Sequence, residues 1–157
     1  MDAVTYPDDL VQQDLQAGFV GLKINIMDRH PDSKAACQGH RPMWAPTLVF
    51  SDADHRPLRR FVGWLPAESF RAELAFVRAY ASFQRGKFDD CKQQLETLLD
   101  RFADTEVAAE SRYTLGMAGF LAGGQDWDAL KSAWKPLAAD PKAGRFATHA
   151  SVEEDAP

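Results

Sequence analysis

The chain has 157 residues, 45% of them hydrophobic and 26% charged, which suffices for one sizeable core or two small ones. A net charge of −5 leaves no basic surplus to track a phosphate backbone, so no nucleic-acid partner is expected. The two cysteines, Cys37 and Cys91, stand far apart in unlike contexts, which excludes a disulfide framework and suits either a reducing compartment or simple indifference to redox. No apolar run approaches the roughly 20 residues that cross a bilayer. The acidic opening Met1–Asp9 lacks the apolar segment of a signal peptide. The expectation is a soluble, cytoplasmic protein with no membrane partner.

In chain order, a helix is expected from about Pro7 to Ala17. Proline suits the first helical position, Asp8 and Asp9 complement the dipole, and Gly18 closes the element. Phe19–Ile26 then reads as a strand, because Val20, Leu22, Ile24 and Ile26 alternate with Gly21, Lys23 and Asn25. Asp28 to Gly39 reads as a polar connection with a helical turn or two. The breaker-rich Pro42-Met43-Trp44-Ala45-Pro46 leads into a second strand, Thr47–Phe50, and the turn cluster Ser51–Pro57 separates it from a third, Leu58–Trp64. These two form an antiparallel hairpin.

From Pro66 onward the pattern is helical. The predicted helices run from Pro66 to Arg85, Phe88 to Phe102, Thr105 to Ala122 and Trp127 to Ala139, with apolar residues recurring every three or four positions. Gly86 and Gly123-Gly124 separate them. No periodic pattern continues beyond Pro141, and Glu153, Glu154 and Asp155 mark an acidic, solvated tail. Strands therefore precede Trp64 and none follows it. The expected organisation is residues 1–76, then helical hairpins over 77–141, then an irregular tail over 142–157.

The strand Val20–Ile26, a short helix, Trp44-Ala45-Pro46-Thr47 opening a hairpin, then Gly63 and a closing helix resemble the second half of the thioredoxin fold. The resemblance covers about Met1 to Phe76. It implies an α/β class, with a partial thioredoxin-like sheet of about three strands followed by an all-helical extension. It also implies a cis bond before Pro46 and a peptide-binding edge at that turn. The helical half is similar to tetratricopeptide repeats, with Gly86, Phe88, Cys91, Leu95, Leu98 and Leu99 at matching positions of the first hairpin. Tyr113, Leu115, Gly116, Trp127 and Trp134 match in the second. The spacing between equivalent aromatics is about 39 residues rather than the ~34 of a regular repeat.

The departure from the thioredoxin pattern bears directly on chemistry. That family carries Cys-x-x-Cys at the start of the helix corresponding to Pro7–Ala17, and no cysteine precedes Cys37 here. The strand expected between Val20–Ile26 and Thr47–Phe50 is also missing. A natural sequence continuing upstream of Met1 is the favoured explanation, and a homodimer or strand swap would also fill the gap.

The other reactive residue types have ordinary explanations. Cys37 lies late in its helix with Lys34 and His40 nearby, and is read as a structural or exposed thiol. Cys91 is read as core. Asp28, His30, Cys37 and His40 contain only one tight ligand pair, so no metal site is expected. Asp8-Asp9 and Asp89-Asp90 open helices and are read as capping. No nucleophile elbow or phosphate cradle occurs, and neither catalytic residues nor cofactor are expected. Trp44, Ala45, Pro46 and Thr47 remain as the binding candidates, although core packing is the commoner use of a tryptophan such as Trp44.

The resulting expectation is a thioredoxin-like protein without its own redox motif, acting as a protein- or peptide-interaction module. The alternative is a thiol-disulfide oxidoreductase, serving redox homeostasis, whose Cys-x-x-Cys lies upstream of Met1.

Overall fold

The computed structural model describes residues 1–28 and 30–151. The chain divides into two compact units, Met1–Arg71 and the part from Ala72 onward. The acidic tail residues Glu153, Glu154 and Asp155 lie outside the described residues.

In the first unit, α1 spans Asp9–Gln16 and α2 spans Pro31–His40. Asp8 caps α1 by accepting hydrogen bonds from the Leu10 and Val11 amides, both at 3.0 Å. This satisfies two of the amide donors that a helix start leaves without intrahelical partners. Val11 is the buried residue of that helix, and Thr5 is buried with its hydroxyl donating to the Leu65 carbonyl at 2.6 Å. Helix α2 is longer than the one or two turns expected. His30 Nδ1 accepts from the Asp32 amide at 3.3 Å, Pro31 starts the helix, and Arg41 ends it in the left-handed conformation at φ 43°. No residue of α2 is buried.

Strands β1 (Thr47–Ser51) and β2 (Pro57–Val62) pair antiparallel, with Thr47 opposite Val62 and Phe50 opposite Arg59. A register shift follows Phe50. Asp52 organises the connecting turn, its carboxylate accepting from the amides of Asp54 and Arg56 at 2.9 Å each.

The three-stranded, thioredoxin-like sheet is not present. The described residues form a two-stranded sheet alone, and the chain is mostly helical. Phe19–Asn25 forms no regular element and Ile26 lies in a turn, so the segment belongs to no ladder. Alternation of apolar residues suits a pleated surface, but a strand exists only where a neighbouring strand meets its backbone donors and acceptors, and no described strand does so for Val20–Ile24.

Helix α3 (Ala67–Gln84) begins in the first unit and continues into the second. Within the first unit Phe70 is buried edge-on to Tyr6, at a centroid separation of 5.8 Å. Arg71 Nε donates to the Asp14 carboxylate at 2.6 Å, a partly shielded ion pair that ties α1 to the start of α3.

The second unit is built from the rest of α3 and from α4 (Phe88–Phe102), α5 (Val107–Ala122), α6 (Trp127–Ala138) and α7 (Arg145–Ala150). A 3-10 turn, Pro141–Ala143, precedes α7. Consecutive helices α4, α5, α6 and α7 pack on one another as hairpins. One core joins Ala72, Phe76 and Ala79 of α3 to Cys91, Leu95, Leu98 and Phe102 of α4 and to Val107 and Ala118 of α5. The apolar stripe expected on α4 supplies this core at 3.6-residue spacing. A second core gathers Leu130, Trp134 and Leu137 of α6 with Ala143 and Ala150. Regular structure thus continues past Pro141, where no periodicity was expected. Six residues are too few to display a helical period, but Ala150 is buried and Phe146 packs against the same cluster.

Gly116 fixes how α6 meets α5. A methyl group there would overlap the Trp134 indole nitrogen and lie 2.6 Å from its Cδ1. The indole instead lies flat on Tyr113, with centroids 4.6 Å apart and planes 10° from parallel. Its N–H donates to the Tyr113 carbonyl at 3.1 Å.

Candidate functional site

The four predicted binding residues are consecutive at the entry to β1. The Ala45–Pro46 peptide bond is cis. The Thr47 hydroxyl donates to the Trp44 carbonyl at 2.6 Å, closing the turn on one side. The Gly63 amide donates to the Pro46 carbonyl at 2.9 Å and ties the turn to the end of β2. Gly63 adopts φ 111°, a conformation that residues with a Cβ rarely enter.

Met43, Trp44 and Ala45 of this turn are exposed, and Pro46 and Thr47 are half-buried. Trp44 is 69% exposed and Met43 is 88% exposed, so the core-packing use of Trp44 is not the one observed. Trp64, 55% exposed, follows Gly63 on the other arm of the hairpin. Breakers at Pro42 and Pro46 keep Trp44 out of any strand or helix, so no regular element carries its side chain toward a core.

Neither cysteine lies in a redox arrangement. Cys37 is partly exposed on α2, and Cys91 is buried in the helical unit. Burial pushes the Cys91 thiol up to about 11, against the opposing effect of a hydrogen bond with the Phe83 backbone. A thiol so shifted is protonated at neutral pH and a poor nucleophile.

Asp28, His30, Cys37 and His40 do not converge on a common centre, and no three potential ligands do so among the described residues. Asp28 instead serves the start of α2, accepting from the His30 amide at 3.0 Å and the Ser33 hydroxyl at 2.9 Å.

The helical unit holds a groove, which the hairpin pattern suggests as a second contact surface without giving its lining residues. An open groove of about 440 Å³ runs over α4, α5 and α6. Its floor is apolar, including Leu115, Phe120 and Leu137, and its rim carries Lys92, Glu96 and Arg112. Gly116 and Gly119 both line it; the indole of Trp134 fills the space beside Gly116, whereas the space beside Gly119 is open. Their spacing of three was legible as a small-residue face on α5. Which side of that face stays open depends on the placement of α6, which one helix cannot disclose.

Comparison with protein-family models, with characterised proteins and with solved structures finds no match for this chain. No helix among the described residues is long and apolar enough to cross a membrane.

Proposed function

We propose that this chain is a protein-interaction module, resembling thioredoxin-like proteins in local sequence pattern but without vicinal thiols of its own, that binds extended polypeptide at the Trp44–Thr47 turn. The carrying observation is the outward projection of Trp44 from a turn whose carbonyls at Trp44 and Pro46 are both hydrogen-bonded internally. Holding an aromatic side chain on an already ordered backbone lowers the entropy lost on binding, and exposed tryptophan supplies large contact area with few rotatable bonds. Met43 adds an adaptable apolar neighbour. The helical hairpins of the second unit offer a separate groove for a protein partner. A cytoplasmic setting accords with two unpaired cysteines.

Isothermal titration with carboxymethylated insulin B chain, an unfolded polypeptide with capped thiols, tests the reading. Saturable binding is expected, weakened about tenfold by Trp44→Ala, the loss of one aromatic anchor. Absence of binding at millimolar peptide, or equal affinity in the variant, would overturn it.

A further inference from the structure

The segment Val20–Ile26 has the pattern of a strand and none of its pairing. At one end the Phe19 amide still bonds back to the Leu15 carbonyl at 2.9 Å. At the other the Asp28 amide closes a turn on the Asn25 carbonyl at 3.0 Å. Between these points the backbone groups of Val20 to Ile24 form no backbone hydrogen bond with another described residue. Val20 is fully exposed, Leu22 is 79% exposed and Ile26 is 40% exposed. A segment outside any helix or ladder, with backbone groups unpaired among the described residues and apolar side chains at alternate positions, is a template that adds a strand from another chain.

We propose that Val20–Ile26 is a dimerisation strand, pairing antiparallel with the same segment of a second copy of this chain. The sequence is complementary to itself. Centred on Leu22, such a pairing sets Leu22 opposite Leu22 and Val20 opposite Ile24, which gathers the apolar side chains on one face. It places Lys23 opposite Gly21, so the two lysines do not face each other. A register centred on Lys23 would juxtapose like charges and is disfavoured. Lys23 is already compensated within its own chain, its Nζ lying 2.7 Å from the Asp2 carboxylate.

Elsewhere in this unit the β2 edge of the sheet is guarded. Strand β2 begins with Pro57 and carries Arg59 and Arg60, residues that discourage edge pairing. The segment Val20–Ile26 contains no proline and one charge. A second copy is therefore the occupant that this segment fits without any further complementarity having to be supplied. Pairing through Val20–Ile26 is independent of peptide binding at the Trp44–Thr47 turn.

The test is light scattering after size exclusion on the full chain across a dilution series, together with amide hydrogen exchange. A dimer is expected, with slowed exchange at Val20–Asn25 that is lost on dilution. Leu22→Lys, which places a charge on the apolar face, should weaken dimerisation at least about tenfold. Exchange in α1 and the β1–β2 hairpin, which share the compact unit of Leu22, should be unchanged in that variant, which separates loss of pairing from loss of folding. Trp44→Ala should leave the dimer intact, so the two proposals fail independently. A single-chain mass at every concentration, a dimer with no added protection at Val20–Asn25, or undiminished dimerisation of a folded Leu22→Lys chain would each overturn the proposal.

Discussion

At the scale of single residues, the two cysteines divide by burial. Cys91 has no exposed surface, and a thiol titrating near 11 is thiolate in only about one molecule in a thousand at pH 8. Cys37 is partly open to solvent on a helix that buries nothing. Titration of the native protein with a chromogenic disulfide at pH 8 should therefore modify one thiol per chain promptly, and none promptly in Cys37→Ser. Adding denaturant should release the second. Prompt modification of both thiols in the folded protein would contradict the packing of α4. The sequence disclosed the Cys91 environment because a small residue on a helical apolar stripe has few other places to be. It did not disclose the exposure of Trp44, since a tryptophan between two prolines has no periodic context from which to infer its side.

At the scale of elements, α5 carries two glycines three residues apart with opposite roles. Gly116→Ala would drive a methyl group into the Trp134 indole and break its stacking on Tyr113, at a cost of about 1–3 kcal/mol, the usual penalty of overpacking. A methyl group at Gly119 would meet nothing within 4 Å, so Gly119→Ala should stabilise by about 0.5–1 kcal/mol through reduced unfolded-state freedom and better helix propensity. Chemical denaturation of both variants reads the contrast, and a loss of stability in the second or a gain in the first would contradict the helix packing. Helix α4 was legible to its end residues because fifteen positions show four turns of an apolar stripe. Helix α7, with six, shows fewer than two turns and was missed. The strand expected over Phe19–Ile26 failed for a different reason. Its alternation is real, but pairing is a property of two segments, and the pattern of one states only what it would bury if a neighbour were present.

At the scale of the whole molecule, the chain separates into two parts with unlike means of stability. The helical part buries a continuous set of side chains from α3 to α5 and a second set around Trp134. The first 71 residues bury Thr5, Val11 and Phe70 while leaving Val20, Leu22, Met43, Trp44 and Trp64 exposed. Exposed apolar side chains concentrated in this way are a feature of surfaces that meet other chains. The break between a strand-bearing part and a helical part was legible from composition, since no strand pattern follows Trp64. The number of strands was not, because it depended on a partner for Val20–Ile26.

Whether the Trp44–Thr47 turn is where polypeptide binds is read most directly by nitrogen–proton correlation spectra of the full chain during addition of carboxymethylated insulin B chain. The amide of Gly63, which bonds the Pro46 carbonyl, and those of Met43, Trp44, Ala45 and Thr47 should shift first and saturate together, with the Trp44 indole resonance among them. Shifts confined to residues lining the α4–α6 groove, with the turn unmoved at saturation, would contradict the assignment of binding to this turn.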